Sequence, residues 1–320
     1  MTVTAVLPGD YTVRSPEPTD AEALFGMFVA YNTPLIGYAD GTVDEVADRI
    51  VEPGFDRTTD GFLVLAKDGL PVGYGTTFGK GDRQIVGIQV WSQQPAVADW
   101  LFDRTMRRAR EMGRERGHAE VTVDTDVYRA DKPLRALLAR NDFTTGTTYH
   151  RMQINHTEPV AIPEVPAGVV VRRGALDDAT RWTAHQVILD CHRDHYGFAE
   201  RPHEEWIEWF DATSTFDWSQ MTLLEIDGQA VAVRVCSDKY LETDNCGSVD
   251  TVGVLGEFRG RGLAKFLLHD AFALDAAAGR VGTILDVDTN NPTSALGLYQ
   301  SVGMSPTLVS DGWRRILPIA

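Results

Sequence analysis

The sequence predicts a mixed α/β fold that occurs twice, as two tandem copies of one domain. Its 320 residues correspond to about two domains at roughly 150 residues each. Within each half, predicted helices are interleaved with a β-hairpin and further strands, an order that indicates a mixed sheet covered by helices. Segments of the first half recur in the second half in the same order, which favours a duplication. We therefore expect an N-terminal domain at 1–155, a Pro-rich linker at 156–168 and a C-terminal domain at 169–320.

The repeat can be followed element by element. Each half opens with a short strand and a helical pattern, at 11–14 in the first half and at 169–172 in the second. Two alternating strands follow, joined at Asp68-Gly69 and at Asp227-Gly228, and an Asp-Gly pair between such strands is a strong hairpin signal. At one constant offset, two further segments match their counterparts: 85–92 with 249–256, and 123–126 with 287–290.

The composition is that of an ordinary globular chain, with 43% hydrophobic and 24% charged residues, and it excludes disordered, collagen-like and disulfide-scaffold proteins. The 30 basic and 46 acidic residues give a formal net charge of −16, so we expect neither a nucleic-acid nor a membrane partner. The chain has three cysteines, Cys191, Cys236 and Cys246, and they are not spaced like metal ligands. We therefore expect reduced thiols and no metal site. Without a signal-peptide pattern or a membrane-length apolar run, we expect a cytoplasmic monomer or homodimer.

A glycine-containing loop separates a predicted strand from a long predicted helix within 248–278. Gly260 and Gly262 would let the backbone approach a bulky group, and the helix start would offer unpaired N–H groups and a positive dipole end. Arg259 and Arg261 add positive charge. These are the properties of a pyrophosphate cradle in a chain whose overall charge repels phosphates. A plain turn with two solvated arginines is the alternative, since the dinucleotide and P-loop spacings are both absent.

Two motifs around this loop resemble those of the GNAT superfamily of acyl-CoA-dependent N-acyltransferases. The first is Arg-x-x-Gly-x-Ala at 259–264, and the second is Asn-x-x-Ala-x-x-x-Tyr-x-x-x-Gly-Met at 291–304. The resemblance covers the second half closely and the first half through the repeat. It implies two tandem GNAT folds and an enzyme that transfers an acetyl group from acetyl-CoA to a primary amine of a small molecule, without a metal, in the C-terminal domain.

The resemblance also implies roles for single residues. The loop would bind the pyrophosphate of coenzyme A, the strand before it would pair with the pantetheine amides, and Asn291 would lie near the pantetheine arm. Tyr299 would protonate the departing thiolate. Without the motif, the favoured interpretation of Tyr299 would be an aromatic residue of the core. The implied cofactor-binding residues are Val252, Gly253, Val254, Arg259, Gly260, Arg261, Gly262, Leu263, Ala264 and Asn291.

The general base departs from the family pattern. Many members carry a glutamate on the strand before the loop, near the place where this sequence has Ser248. Asp250 follows two residues later on the same strand face, and it is the candidate base. The alternative is that Asp250 is a solvated aspartate at the end of a strand. His192, His195 and Glu200 lie where the family places its acceptor-binding helices, so they are the candidate substrate-binding residues. A neutral imidazole in this segment is a second candidate base. The alternative is that the segment is simply the end of a helix at the protein surface.

The first copy lacks the residues that the resemblance assigns to coenzyme A. At the constant offset, 95–100 fall opposite 259–264, so both arginines and both glycines of the loop are absent. Pro95 removes a backbone donor, and Asp99 adds negative charge where phosphate would lie. At a slightly shorter offset, Leu138 falls opposite Tyr299. We therefore expect residues 1–155 to have a structural or substrate-shaping role.

The identity of the amine stays open at this point. Mycothiol synthase is a specific alternative, because its tandem architecture has a degenerate first half, and antibiotic-modifying and secondary-metabolite acetyltransferases share that architecture. A non-catalytic acyl-CoA-binding or sensing protein is the alternative from another class. Transfer of a longer acyl group or an aminoacyl group is a further enzymatic alternative.

The unequal copies predict the stoichiometry of acetyl-CoA binding. We expect one equivalent per chain at saturation, because only the second copy has a loop suited to a pyrophosphate. Isothermal titration calorimetry measures this number directly. The variant Arg259→Gln should weaken that single site, whereas binding of two equivalents by the wild-type chain would contradict the prediction.

Overall fold

A computed structural model of the chain describes residues 6–7, 9–290 and 295–319. The chain forms two compact units: unit 1 comprises Met1–Thr148 with Ser310–Ala320, and unit 2 comprises Tyr149–Val309. This division differs from the predicted boundaries at both ends, because the end of the chain belongs to unit 1 and residues 149–155 belong to unit 2. Residues 156–168, where we expected the linker, form neither helix nor strand.

Strands and helices alternate along the chain as the sequence predicts. The strands are β1 (Thr12–Arg14), β2 (Gly61–Leu65), β3 (Pro71–Lys80), β4 (Ile85–Trp91), β5 (Glu120–Tyr128), β6 (Thr144–Asn155), β7 (Val169–Arg173), β8 (Met221–Ile226), β9 (Gln229–Ser237), β10 (Cys246–Val254), β11 (Gly282–Asp288) and β12 (Ser305–Pro318). The helices are α1 (Ala21–Ile36), α2 (Val43–Ile50), α3 (Arg57–Asp60), α4 (Pro95–Glu115), α5 (Lys132–Arg140), α6 (Asp178–His192), α7 (His203–Asp211), α8 (Leu241–Asp244), α9 (Leu263–Ala277) and α10 (Ala295–Ser301). None of the described helices has the length and hydrophobicity that crossing a bilayer requires.

The sheet of unit 1 has the strand order β1-β2-β3-β4-β5-β12. Its β4–β5 pair is parallel and runs from Ile85↔Thr122 to Gly87↔Asp124, whereas the other neighbours named here are antiparallel. Residues 310–318 of β12 pair with β5 over its whole length. The last strand of the chain therefore completes the sheet of the first unit.

The sheet of unit 2 repeats this plan in the order β6-β11-β10-β9-β8-β7. Its β10–β11 pair is parallel and covers residues 246–248. Residues 149–155 of β6 pair with β11 along its whole length. The prediction of a mixed sheet in two copies is confirmed, and each copy obtains its sixth strand from the opposite half of the sequence.

The β8–β9 hairpin shows how local sequence defines an element. Asp227 and Gly228 both have positive φ angles, of 51° and 79°, as a two-residue type I′ turn requires. Glycine adopts this conformation without strain, and aspartate tolerates it better than most residues. The hairpin predicted at this Asp-Gly pair is confirmed.

A buried ion cluster anchors α9 to the sheet of unit 2. Arg234 on β9 donates a hydrogen bond to the Asp270 carboxylate at 2.7 Å, and Arg173 on β7 donates two more, at 2.8 and 2.6 Å. Arg234 is 2% exposed and Asp270 3% exposed. Burial by itself would raise the pKa of Asp270, but the two guanidinium groups outweigh burial and hold that pKa below its ordinary value. The cluster therefore ties the middle of α9 to β7 and β9.

Removal of the carboxylate tests this anchor. We expect Asp270→Asn to lower the free energy of unfolding by about 3–5 kcal/mol, because it leaves Arg234 charged and buried without a counter-charge. Since the folded-state pKa of Asp270 is lowered, its contribution is complete above the ordinary value of 3.8 and is lost as the pH falls below it. Urea denaturation at neutral and acidic pH measures both effects.

Asp178→Asn is the matched control, because the Asp178 side chain is 99% exposed at the start of α6. It should change the stability by less than about 0.5 kcal/mol. An Asp270→Asn variant as stable as wild type at neutral pH would contradict the anchoring role.

Candidate functional site

Unit 2 contains a cavity of about 650 Å³, a volume typical of small-molecule sites. It lies where the parallel strands diverge, because β10 is paired with β11 only up to Ser248↔Ile284, while the cavity is lined by later residues of both strands. Most of the predicted site residues contribute to its wall. These are His192, His195, Asp250, Val252, Gly253, Val254, Arg259, Gly260, Gly262, Leu263, Ala264 and Tyr299.

Two predicted residues are not brought into this cavity. The Arg261 guanidinium lies over the ring of Phe258, at 5.0 Å from its centroid, and Arg261 does not itself line the cavity. Glu200 is exposed in the segment before α7 and does not line the cavity. Asn291 lies outside the described residues.

Other lining residues were missed by the sequence analysis. Asp286 and Asp288 on β11 line the cavity, and their alternation in a segment already matched to the first copy was a usable signal. Cys191 lines it immediately before His192, at the end of α6. Tyr149 belongs to β6, far from the motifs in sequence, and only the pairing of β6 with β11 brings it to this wall.

Asp250 lies at an irregularity in β10. The register with β9 shifts between Val249↔Cys236 and Thr251↔Val235, and this one-residue bulge redirects the side chain of the extra residue. Ser248 donates a hydrogen bond to the Asp250 carboxylate at 2.5 Å. The carboxylate is accessible from the cavity, yet the protein packed around it desolvates it and raises its pKa above the ordinary value, against the opposing effect of the serine hydrogen bonds. A carboxylate with a raised pKa is a better proton acceptor.

The two histidines face the same cavity as neutral rings. Burial lowers the pKa of His192 and of His195 below the ordinary value. Nδ1 of His192 lies 2.9 Å from the carbonyl oxygen of Ile188. Because a carbonyl only accepts hydrogen bonds, Nδ1 must carry the proton, and Nε2 keeps its lone pair in the neutral ring. His192 is therefore a second group able to accept a proton.

Gly253 allows the end of α6 to approach β10. A Cβ atom at this position would lie 2.8 Å from Cβ of Cys191 and 3.3 Å from Cε1 of His192. The first distance is too short for any side chain, and Cβ of Cys191 cannot move without moving the helix. The absence of a side chain at residue 253 is therefore what holds His192 at the cavity wall.

The loop before α9 offers backbone donors at the cavity. Gly260 and Gly262 have φ angles of 76° and 79°, which glycine adopts without strain. The N–H of Phe266 donates to the carbonyl of Gly262 at 2.9 Å, so the three N–H groups before Phe266 in the first turn have no acceptor within the helix. The loop thus fits a phosphate group, with the helix dipole adding to the attraction.

Tyr299 on α10 lines the same cavity. Burial raises its pKa to about 12, so the hydroxyl is fully protonated at neutral pH and can serve as a proton donor. Tyr299, Asp250 and His192 thus contribute a donor and two acceptors of protons to one cavity.

The corresponding loop of unit 1 is shorter than the constant offset predicted. β4 ends at Trp91 and α4 begins at Pro95, so only residues 92–94 connect them, whereas 255–262 connect β10 to α9. Pro95 therefore occupies the first helical position, as Leu263 does, and the pairing of Pro95 with Arg259 was wrong. Asp99 lies within the helix and forms an ion pair with Arg140.

Comparisons with known proteins agree with this geometry. Residues 182–304 match the family model for acetyltransferases of the GNAT family. The fold is similar to that of a GCN5-related N-acetyltransferase from Sphaerobacter thermophilus, with a TM-score of 0.80 and 21% identity over 98% of both chains. It is also similar to a tandem GNAT protein from the clavulanic acid biosynthesis pathway, with a TM-score of 0.69 and 13% identity over 96% of this chain and 98% of that one. None of the curated proteins matches the chain significantly.

A third solved structure is more distant in sequence. It is N-myristoyltransferase from Saccharomyces cerevisiae, with a TM-score of 0.63 and 12% identity over 99% of this chain and 80% of that one. The match to the GNAT family of acetyltransferases covers residues 182–304. The chain as a whole has the fold of the GNAT proteins to which it is similar, with two tandem GNAT folds. In its described part, no group of three or more His, Cys, Asp or Glu side chains is arranged to hold a metal ion.

The contact at Gly253 can be tested by adding one methyl group. We expect Gly253→Ala to lower the free energy of unfolding by about 1–3 kcal/mol, because the new Cβ overlaps with Cys191. Urea denaturation measures the change. Gly256→Ala is the matched control, since a Cβ there meets no atom within 4 Å, and it should leave stability nearly unchanged. Equal stability of the two variants would show that α6 does not depend on this glycine.

Proposed function

We propose that the protein is an N-acetyltransferase that transfers an acetyl group from acetyl-CoA to a primary amine of a small molecule, with its active site in unit 2. The observation that carries the proposal is the convergence of three groups in one cavity. Asp250 accepts protons, Tyr299 donates them, and the start of α9 attracts a phosphate. The match of residues 182–304 to the GNAT family of acetyltransferases supports the same reaction class.

The donor-binding part of the proposal rests on the loop and on β10. Backbone groups of 259–264 hold the pyrophosphate at the start of α9, helped by the charge of Arg259. The Arg259 side chain is held near the cavity because its Nε donates to the Val254 carbonyl at 3.1 Å. Past Ser248, the edge of β10 that faces away from β9 is not paired with β11, so Val252 and Val254 can pair with the pantetheine amides. Asn291 is assigned to the pantetheine arm by its motif.

The acceptor-binding part rests on the acidic side of the cavity. Asp250, Asp286 and Asp288 all line it, and this concentration of carboxylates attracts a protonated amine. Asp250 takes the proton of the ammonium group, which exposes the nitrogen lone pair. His192 and His195 contact the rest of the amine, and Nε2 of His192 is the second candidate acceptor of the proton.

Acetyl-CoA supplies the acetyl group as a thioester, so that a C–N bond forms to the amine and the C–S bond breaks. Backbone N–H groups on the unpaired edge of β10, at Val252 and Val254, are the candidates to stabilise the negative charge that develops on the carbonyl oxygen. Tyr299 gives its proton to the leaving sulfur, and the second proton that the attacking nitrogen loses as the amide forms replaces it by way of solvent. The balance is an acetylated amine, free coenzyme A and one proton, which Asp250 releases to solvent.

Thiol release from acetyl-CoA with a panel of primary amines tests this reaction. We expect Tyr299→Phe and Asp250→Asn each to lower kcat by about 10²-fold or more, with little change in acetyl-CoA binding. Because the pKa of Asp250 is raised from 3.8, kcat/KM should increase with pH through that raised value. Asp250→Asn should abolish this increase of kcat/KM with pH. If His192→Gln abolishes the increase and Asp250→Asn does not, the base is His192.

Two controls make the result specific. Tyr38→Phe and Asp190→Asn change exposed side chains that do not line the cavity, and both should leave turnover unchanged. Binding of acetyl-CoA without turnover, unaffected by Tyr299→Phe, would favour a sensing protein. Turnover only with longer acyl or aminoacyl thioesters would keep the acyltransferase class and exclude acetyl transfer.

A further inference from the structure

The candidate base Asp250 is held by a serine of its own strand. Ser248 on β10 donates its hydroxyl proton to Oδ1 of Asp250 at 2.5 Å. Ser248 is 3% exposed and does not line the cavity of unit 2, whereas Asp250 does. The serine hydroxyl therefore contacts the carboxylate from within the protein, and it would not touch a substrate bound in the cavity.

The bulge in β10 explains why Asp250 depends on such a contact. Asp250 is the extra residue at the register shift between Val249 and Thr251, so it has no directly opposite residue on β9. The register of the sheet therefore does not define the direction of its side chain as it does for a paired residue. The terminal torsion of an aspartate is also broad. A hydrogen bond to one carboxylate oxygen removes this freedom, and Ser248 supplies it.

A second serine lies beside this pair. Ser237 on β9 is directly opposite Ser248, so the two side chains share one face of the sheet. Ser237 is also 3% exposed and does not line the cavity. Its Oγ accepts the N–H of Lys239 at 3.4 Å, which leaves its own proton to be donated. The hydroxyls of Ser237 and Ser248 both oppose the effect of burial and lower the pKa of Asp250.

The other titratable groups around Asp250 come from several elements. The charge of Lys239, after β9, lowers the pKa of Asp250, and the charge of Asp286 on β11 raises it. Cys236 on β9 is a neutral thiol, since burial raises its pKa to about 12. The remaining titratable side chains at this cavity are Tyr149, Cys191, His192, His195, Tyr196, Arg259, Lys265, Asp288 and Tyr299. Within the described residues none of the basic side chains forms an ion pair with Asp250, so hydroxyl groups and not a counter-charge hold its carboxylate.

We propose that Ser248 is a positioning residue for proton transfer: its hydroxyl holds the Asp250 carboxylate in one orientation toward the cavity, where the carboxylate accepts the proton of the ammonium group. Ser237 supports the same orientation from β9. Both serines keep their own protons, because the proton moves from the amine nitrogen to the carboxylate and from there to solvent. This inference rests on the proposed function, in which Asp250 is the base.

The test is the dependence of kcat/KM on pH, measured for thiol release from acetyl-CoA with an amine that the wild-type chain acetylates. In Ser248→Ala the rise of kcat/KM should move to higher pH by about one unit, because the ionised carboxylate loses a charge-assisted hydrogen bond. Above this rise, kcat should fall by about 10-fold because the carboxylate loses its orientation, while KM for acetyl-CoA stays the same. Ser237→Ala should produce a smaller shift in the same direction.

Size and hydrogen bonding can be separated at residue 248. Ser248→Cys keeps the size of the side chain, but a thiol is a weak donor, so this variant should behave like Ser248→Ala. Ser248→Thr keeps the hydroxyl and should restore the wild-type pH dependence. Thr283→Val is the matched control, because the buried Thr283 hydroxyl also donates to a carboxylate, that of Asp275, and neither residue lines the cavity. It should leave the pH dependence unchanged.

A second readout needs no turnover. The NMR chemical shift of the Asp250 carboxyl carbon, assigned with Asp250→Asn, follows the same pKa, which should rise in Ser248→Ala. The inference is overturned if Ser248→Ala and Ser248→Cys leave both this titration and the pH dependence of kcat/KM unchanged, or if Ser248→Thr at wild-type stability behaves like Ser248→Ala. In that case, wild-type turnover whose rise with pH is lost in Asp250→Asn would still support the proposed function. If the wild-type chain acetylates no amine, the proposed function fails, and the role of Ser248 in proton transfer fails with it.

Discussion

The cavity of unit 2 depends on the divergence of two parallel strands. β10 and β11 are paired only through Ser248, and continued pairing would occupy the backbone groups that the later part of β10 now presents to the cavity. Two further features act on this same strand. The bulge turns Asp250 toward the cavity, and Gly253 lets α6 bring His192 against it. A single strand therefore positions both candidate proton acceptors.

Packing elsewhere in unit 2 keeps the phosphate-binding loop in place. The loop ends where α9 begins, and α9 is held to β7 and β9 through the buried Asp270 carboxylate. Arg234 and Asp270 are both buried and costly to desolvate, whereas Arg173 reaches the same carboxylate from an exposed position, so the buried pair is stable only while its hydrogen bonds form. This geometry holds α9 in one position on the sheet. The backbone N–H groups in the first turn of α9 are therefore held in position as well.

In both units the two parallel strands diverge and leave a cavity. The loops and side chains that surround the two cavities differ. In unit 2 the cavity adjoins a long loop with two left-handed glycines, whereas in unit 1 residues 92–94 connect the strand directly to a helix that begins with proline. The cavity of unit 1, of about 300 Å³, is instead lined by aromatic side chains together with both acidic and basic ones. Duplication thus preserved the backbone arrangement while the side chains changed the chemistry.

Much of this protein follows from the sequence alone. The repeated order of elements, the Asp-Gly hairpin and the glycine loop before α9 are local patterns, set by backbone sterics and by hydrophobic periodicity. These patterns sufficed to predict the mixed α/β fold in two copies and most of the residues that line the unit 2 cavity. Only the tertiary structure decided which sheet β6 and β12 complete, because alternation defines the faces of a strand but not its hydrogen-bonding partner. It likewise turned Arg261 onto Phe258 and brought Tyr149 to the cavity, since side-chain directions and distant pairings depend on the packed chain.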